Sequence, residues 1–273
     1  MKFNMRAIMR FSVLFSFSLL VGMVPLVLFY VGTREPGINL QSALSDSWTF
    51  ESFIRLFAGL NTPEIRFRES LYRSTAYSSI VAFGVTFIAF FYANWIAGWS
   101  KKSAVGMSFT LLTLTLLPQT YLIMPILVAK QGLPKYLDPL IIIAVIALGV
   151  LPLSAWAFHM MSGQKMTNLQ EHCALDRLGM LQSLRKIVRE IRVDLIIVFL
   201  LAWAIAWGNY LVPFSLGSRN SYTAVVQIAT FTTNLGRDWA MICASGFIVS
   251  IPGVLIGLVC GGITLWSFLQ KKV

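Results

Sequence analysis

Acidic side chains are scarce in this chain: Asp and Glu number 11 against 22 Lys and Arg in 273 residues, and charge of either sign makes up only 12%. With 57% hydrophobic residues and a mean hydropathy of +0.73, that is too little polar surface to dress a water-soluble domain. The composition excludes a soluble globule and leaves an integral membrane protein. Cysteine is scarce too. The three present, Cys173, Cys243 and Cys260, form neither a CxxC pair nor a disulfide framework and read as small buried hydrophobes. A GxxxxGK[ST] phosphate cradle is missing, so the chain is not expected to bind and hydrolyse ATP itself. Charge is absent from the long apolar runs, where His159 is the sole titratable histidine; ion-coupled carriers place acids or bases there, and their absence disfavours coupling to protons or sodium. His159, at the end of its run, reads as a half-hydrated interfacial residue rather than a proton relay.

What is present is a series of uncharged runs: 11–32, 74–100, 103–129, 139–164, 195–218 and 239–270. Each reaches the roughly 20 residues a spanning helix needs, and none alternates as barrel strands do. The expectation is an all-α integral membrane protein of six transmembrane helices in a single domain. Lys2, Arg6 and Arg10 make a basic leader, but the first run is long for a signal peptide and no small-x-small cleavage site follows, so it reads as an uncleaved span. Thirteen of the 22 Lys and Arg fall on one side if the N-terminus is inside, which places both termini in the cytoplasm. The net charge of +11 then reflects topology and attraction to anionic lipid, with no need for nucleic acid.

Two loops carry pattern. In the outside loop, 33–73, a polar part with Arg34, Pro36 and Gly37 precedes Trp48 to Phe57, where Phe50, Phe53, Ile54 and Phe57 recur at i, i+3, i+4 and i+7. That spacing predicts a short amphipathic helix on the outer membrane surface, an anchor or a landing surface for a partner. The cytoplasmic loop, 165–194, predicts two short helices separated near Arg177 to Gly179. Thr167 or Asn168 would cap the first, with Glu171 in its opening turn, and Met180, Leu181, Leu184, Ile187, Val188 and Ile191 form the apolar face of the second. Within the spans, Pro118 and Pro125 interrupt the third run, and Pro152 and Pro213 mark breaks or kinks in the fourth and fifth.

The segment with Glu171, Ala174, Leu175 and Asp176, followed by Leu184, Arg185 and Ile187, resembles the EAA loop of permease subunits of binding-protein-dependent ABC importers. Ala206 to Pro213 is similar to the AWNxFLxP segment of the carbohydrate-uptake, maltose-type second permease. Trp48 to Phe57, Pro118, Gln119, Gly132, Leu133, Asp138, Thr223, Asp238 and Trp239 resemble further parts of that family, so the likeness runs along nearly the whole chain. Against the pattern EAA(x)3G(x)9IxLP, the two alanines are His172 and Cys173, the glycine is Arg177, and the final Leu-Pro is Arg189 and Glu190. Gly179 is expected to supply the turn two residues late. The family's Gly-rich C-terminal tail is missing.

The resemblance implies a type I importer permease fold in a bacterial or archaeal inner membrane. It also implies alternating access with a second, related permease, two ATP-binding subunits that hold ATP and magnesium, and an extracytoplasmic solute-binding protein, with no cofactor in this chain. The loop would be the coupling element: Glu171 and Asp176 in cap and hydrogen-bond roles, Ala174 and Leu175 with them at its opening among the residues coupling to the ATPase, Gly179 in its turn, Leu184 and Ile187 packing it, Arg185 contacting the ATPase. For a sugar-like solute the candidate path is Gln119, Trp207, Asn209 and Tyr210, since sugars are held by aromatic faces and amides in a kinked cavity. The rival readings are an ATP-independent secondary carrier and a non-transporting membrane scaffold.

Overall fold

The computed structural model describes residues 22–34, 48–58, 67–116, 118–233 and 236–270. The start of the predicted first span with Lys2, Arg6 and Arg10, the Pro36 and Gly37 part of the outside loop, and Lys271 and Lys272 lie outside the described residues. The helices are α1 (Gly22–Gly32), α2 (Glu51–Ala58), α3 (Phe67–Ile96), α4 (Lys101–Leu114), α5 (Thr120–Lys130), α6 (Asp138–Leu175), α7 (Met180–Glu190), α8 (Arg192–Trp207), α9 (Leu211–Leu216), α10 (Ala224–Ala229) and α11 (Trp239–Gln270). A hairpin of two-residue strands, Thr232–Thr233 with Gly236–Arg237, is the β-structure among the described residues. Three helices are long and apolar enough to cross a membrane: Phe67–Ile96, Lys135–Leu175 and Trp239–Gly262. The protein is therefore a helical, multi-pass membrane protein.

The chain divides into two compact units, residues 1–71 with 224–255, and 72–223 with 256–273. In the first, α1 meets α11 where a Cβ on Gly32 would lie 2.9 Å from the Ala244 backbone, an approach only glycine permits. Phe29, Phe53 and Phe247 pack with centroids 5.1 to 6.2 Å apart. The Arg34 guanidinium lies 4.2 Å from the Tyr30 ring centre and 4.6 Å from that of Trp48, two cation–π contacts that suit a cation at a membrane edge. Asp238 caps α11, its Oδ1 accepting from the Met241 N–H at 3.0 Å. Of the predicted stripe on and just before α2, Phe53 packs inward while Phe50, Ile54 and Phe57 are exposed, and Ser52 and Leu56 are buried instead. An outward apolar face is what a helix lying on a bilayer needs.

In the second unit α3, α6 and α8 enclose Val81, Val85, Ile142, Ile146, Val150 and Ala202. Nearer the α6 C-terminus a second cluster joins Phe90, Phe158, Met166, Ile187, Ile191 and Val198, with Ala89, Ala93, Ala97 and Ala155 among them. Lipid tails are as apolar as leucine, so close packing rather than water exclusion holds such helices together, and small residues bring the backbones near.

Several expectations are corrected. The third run is two helices, broken around Pro118, but Pro125 sits inside α5 without ending it. The fifth run also breaks, at Gly208 to Tyr210. This lies upstream of Pro213, which occupies the first turn of α9, where its missing N–H costs nothing and its ring forbids helix at the preceding turn. Pro152 breaks nothing: α6 is continuous for 38 residues. The separate first loop helix capped by Thr167 or Asn168 does not exist, because no glycine or proline lies between Gln164 and Leu175 and the span simply runs on. Thr167 Oγ1 instead donates to the carbonyls of Gly163 and Ala97 at 3.1 and 3.3 Å. Glu171 therefore stands near a helix C-terminus and caps nothing.

Candidate functional site

Two helix breaks meet in the second unit. The Asn209 Oδ1 accepts from the Val212 N–H at 3.2 Å, closing the start of α9, which leaves Nδ2 to donate to Gln119 Oε1 at 2.9 Å. The Gln119 amide nitrogen fits over Gly149 of α6, where any Cβ would collide with it. Three elements are thus joined through two half-buried amides at a point where backbone regularity is lost. Discontinuous helices of this kind place polar groups at membrane depth. The Gln119 Nε2 hydrogens take no partner among the described residues, so the junction keeps donor capacity.

Of the four residues predicted for a solute path, the structure brings Gln119 and Asn209 into contact. Tyr210 stands beside the break, stacked on Phe214 at 5.1 Å and still 37% exposed. Trp207 does otherwise: it is 7% exposed and stacked on Trp203 at 4.9 Å, while Trp203 Nε1 donates to Ser79 Oγ at 3.1 Å. That burial and stacking are those of a residue packed between helices.

The loop end is built on α6, whose 38 residues reach about 57 Å, roughly 27 Å more than a hydrocarbon core is thick. The excess is anchored on two sides. Gln170 Nε2 donates to Asn94 O and Oδ1 at 2.8 and 2.9 Å, and Lys165 Nζ pairs with Asp194 at 2.9 Å. The helix then ends in a Schellman turn: the Leu178 N–H donates to Cys173 O and the Arg177 N–H to Ala174 O, both at 3.1 Å, with Arg177 at φ 52. Arg177 itself takes the left-handed position that the importer pattern gives to glycine. The expectation that Gly179 makes the turn is wrong, since Gly179 is the extended residue preceding α7.

Across this turn Lys186 Nζ donates to Asp176 Oδ2 at 3.0 Å, which holds the lysine pKa above its ordinary value. Ile187 is buried in the second cluster and Leu184 packs beside it. Glu171, Ala174 and Arg185 are exposed, and the Glu171 carboxylate accepts no hydrogen bond among the described residues. The tip is apolar yet uncovered: Leu175, Met180 and Leu181 are 79%, 87% and 80% exposed. Three such side chains form an exposed apolar patch at the tip, of the kind that marks an interaction surface.

Residue-by-residue reading missed the ion pairs. Besides Lys165 with Asp194, Lys130 pairs with Asp138 at 2.8 Å, Asp138 being 1% exposed, and Lys130 also donates to the Leu216 carbonyl. This ties α5, α6 and α9 at the other end of the unit. A signal existed: each of the four is the first charge beyond an uncharged run, and each pair is of opposite sign. Among the described residues no cluster of His, Cys, Asp or Glu is arranged to hold a metal. Comparison of the chain with protein-family models and with curated protein sequences gives no match.

Proposed function

We propose that this chain is a transmembrane subunit of an ATP-driven ABC importer for a sugar or related polyol, with six spans, both termini in the cytoplasm, in a bacterial or archaeal inner membrane. The observation that carries the reading is mechanical. A single helix, α6, leads from Gly149 at the Gln119–Asn209 junction to Leu175 at the exposed tip, about 39 Å without a break. A rod rigid along its length passes a push at one end to the other, and a tip of uncovered apolar side chains is where a soluble subunit would push. The left-handed turn at Arg177, at the position of the pattern's glycine, supports the same reading. Gln119, Asn209 and Tyr210 would meet the solute in a path shared with a second permease, a solute-binding protein would deliver it outside, and ATP and magnesium would stay in two ATPase subunits.

A secondary carrier would draw on the Lys130–Asp138 pair. That pair sits at the end of α6 and clamps three elements, which suits a structural tie. The reading is tested by tagging the chain in its native membrane and purifying it. The expected result is co-purification of a second multi-span protein and an ATP-hydrolysing one, with solute uptake abolished by deleting the ATPase. Uptake that persists without any ATPase contradicts it.

A further inference from the structure

A groove of about 460 Å³ runs along the second unit, walled by Phe83, Phe87 and Phe91 of α3, Leu184 and Val188 of α7 and Ile196 of α8, with almost no polar atoms in its lining. Its extent along α3, from Phe83 to Phe91, is about 12 Å, close to one leaflet of a hydrocarbon core roughly 30 Å thick. Two arginines neighbour the lining residues in sequence. Arg189 follows Val188, and Arg192 lies midway between Val188 and Ile196, both of which line the groove. Both are exposed and neither is in an ion pair among the described residues, for Asp194 is taken by Lys165 and Asp176 by Lys186, and the Glu190 charge bears on Lys186. An apolar slot close to one leaflet deep, with two exposed arginines that form no ion pair among the described residues next in sequence to its lining, suits a single chemistry, a phosphate joined to a long acyl chain.

We infer that this groove binds an anionic phospholipid, one acyl chain lying against Phe83, Phe87 and Phe91 and the phosphate held by Arg189 and Arg192. The site is independent of the importer reading and needs only that α3 and α8 span the bilayer with the arginines at its surface. Anionic lipid concentrates in the leaflet on the Lys- and Arg-rich side, where this mouth would open.

The full chain is purified in mild detergent, incubated with equimolar phosphatidylglycerol and phosphatidylcholine, washed, and the retained lipid counted by native mass spectrometry. Phosphatidylglycerol is expected to exceed phosphatidylcholine about tenfold. Arg189→Gln with Arg192→Gln should bring the ratio near one, Arg189→Lys with Arg192→Lys should keep most of it, and Ile196→Trp, which fills the slot, should cut retention of both lipids. Thermal unfolding of each variant shows that it is folded, and the single Gln variants serve if the double one is not. The inference is overturned if the Gln variants keep the preference, if Ile196→Trp leaves retention unchanged, or if inorganic phosphate alone displaces the lipid. It is equally overturned if the groove is covered by a second copy of the chain, seen as a dimer that Ile196→Trp dissolves.

Discussion

At the scale of single residues, Arg177 is the most informative position, because it adopts a backbone conformation that its Cβ resists. A non-glycine residue at a left-handed helix end gives up about 1 kcal/mol relative to glycine. Arg177→Gly is therefore expected to raise the thermal unfolding midpoint, and Arg177→Val to lower it, which differential scanning of the purified protein would measure. Gly149 poses the opposite demand. Its missing Cβ is the space Gln119 occupies, so Gly149→Leu should displace that amide and break its bond to Asn209. The expected loss is about 1–3 kcal/mol, the cost of leaving a part-buried polar group unpaired, with impaired solute uptake beside it if the proposed function holds. Gly149→Ala, the smaller intrusion, should do less of both. Glu171 makes no contact that explains it within the chain, and its carboxylate stands near the negative end of a helix dipole. Glu171→Gln should leave stability unchanged or slightly improved, so under the proposed function any loss of solute uptake would report on a contact outside the chain.

At the scale of elements, the two ion pairs make asymmetric predictions. In the Lys165–Asp194 pair the lysine side chain is 59% exposed and the aspartate only 10%. Removing the aspartate leaves a cation that water can reach, whereas removing the lysine strands a buried anion, so Lys165→Ala should destabilise more than Asp194→Ala. The Lys130–Asp138 pair is enclosed on both sides, 17% and 1% exposed, and breaking it at either residue should cost about 3 kcal/mol; unfolding of the four single variants in parallel would reveal the order. Ile187 fastens α7 to the bundle, and Ile187→Ala should cost about 2–5 kcal/mol. Leu181→Ala, at an uncovered position, should cost almost nothing.

Element boundaries show what the sequence could convey. Uncharged runs located the three long apolar helices α3, α6 and α11, because desolvating charge is so costly in lipid that composition alone marks a span. The same logic overlooked that α6 continues past its apolar run: helix propensity does not end where hydrophobicity does, and residues 165–175 contain nothing to stop it. Gln119 and Asn209 were legible as polar residues beside predicted breaks, but their pairing across 90 positions of sequence was not. For Trp207 the sequence leaves packing and path lining both open, because an aromatic residue near a break does either; its burial and its stack on Trp203 add weight to packing.

At the scale of the whole molecule, one uninterrupted helix joins a polar junction in the second unit to an exposed apolar tip. The tip, Leu175, Met180 and Leu181, is where the claim is most exposed to test. The decisive measurement places a photo-crosslinking side chain at Leu181 in the full chain, in its native membrane, and identifies what it captures. The account predicts a polypeptide with a nucleotide-binding site, captured in a yield that changes when ATP or a non-hydrolysable analogue is added. Capture of lipid alone, unaffected by nucleotide, would contradict it.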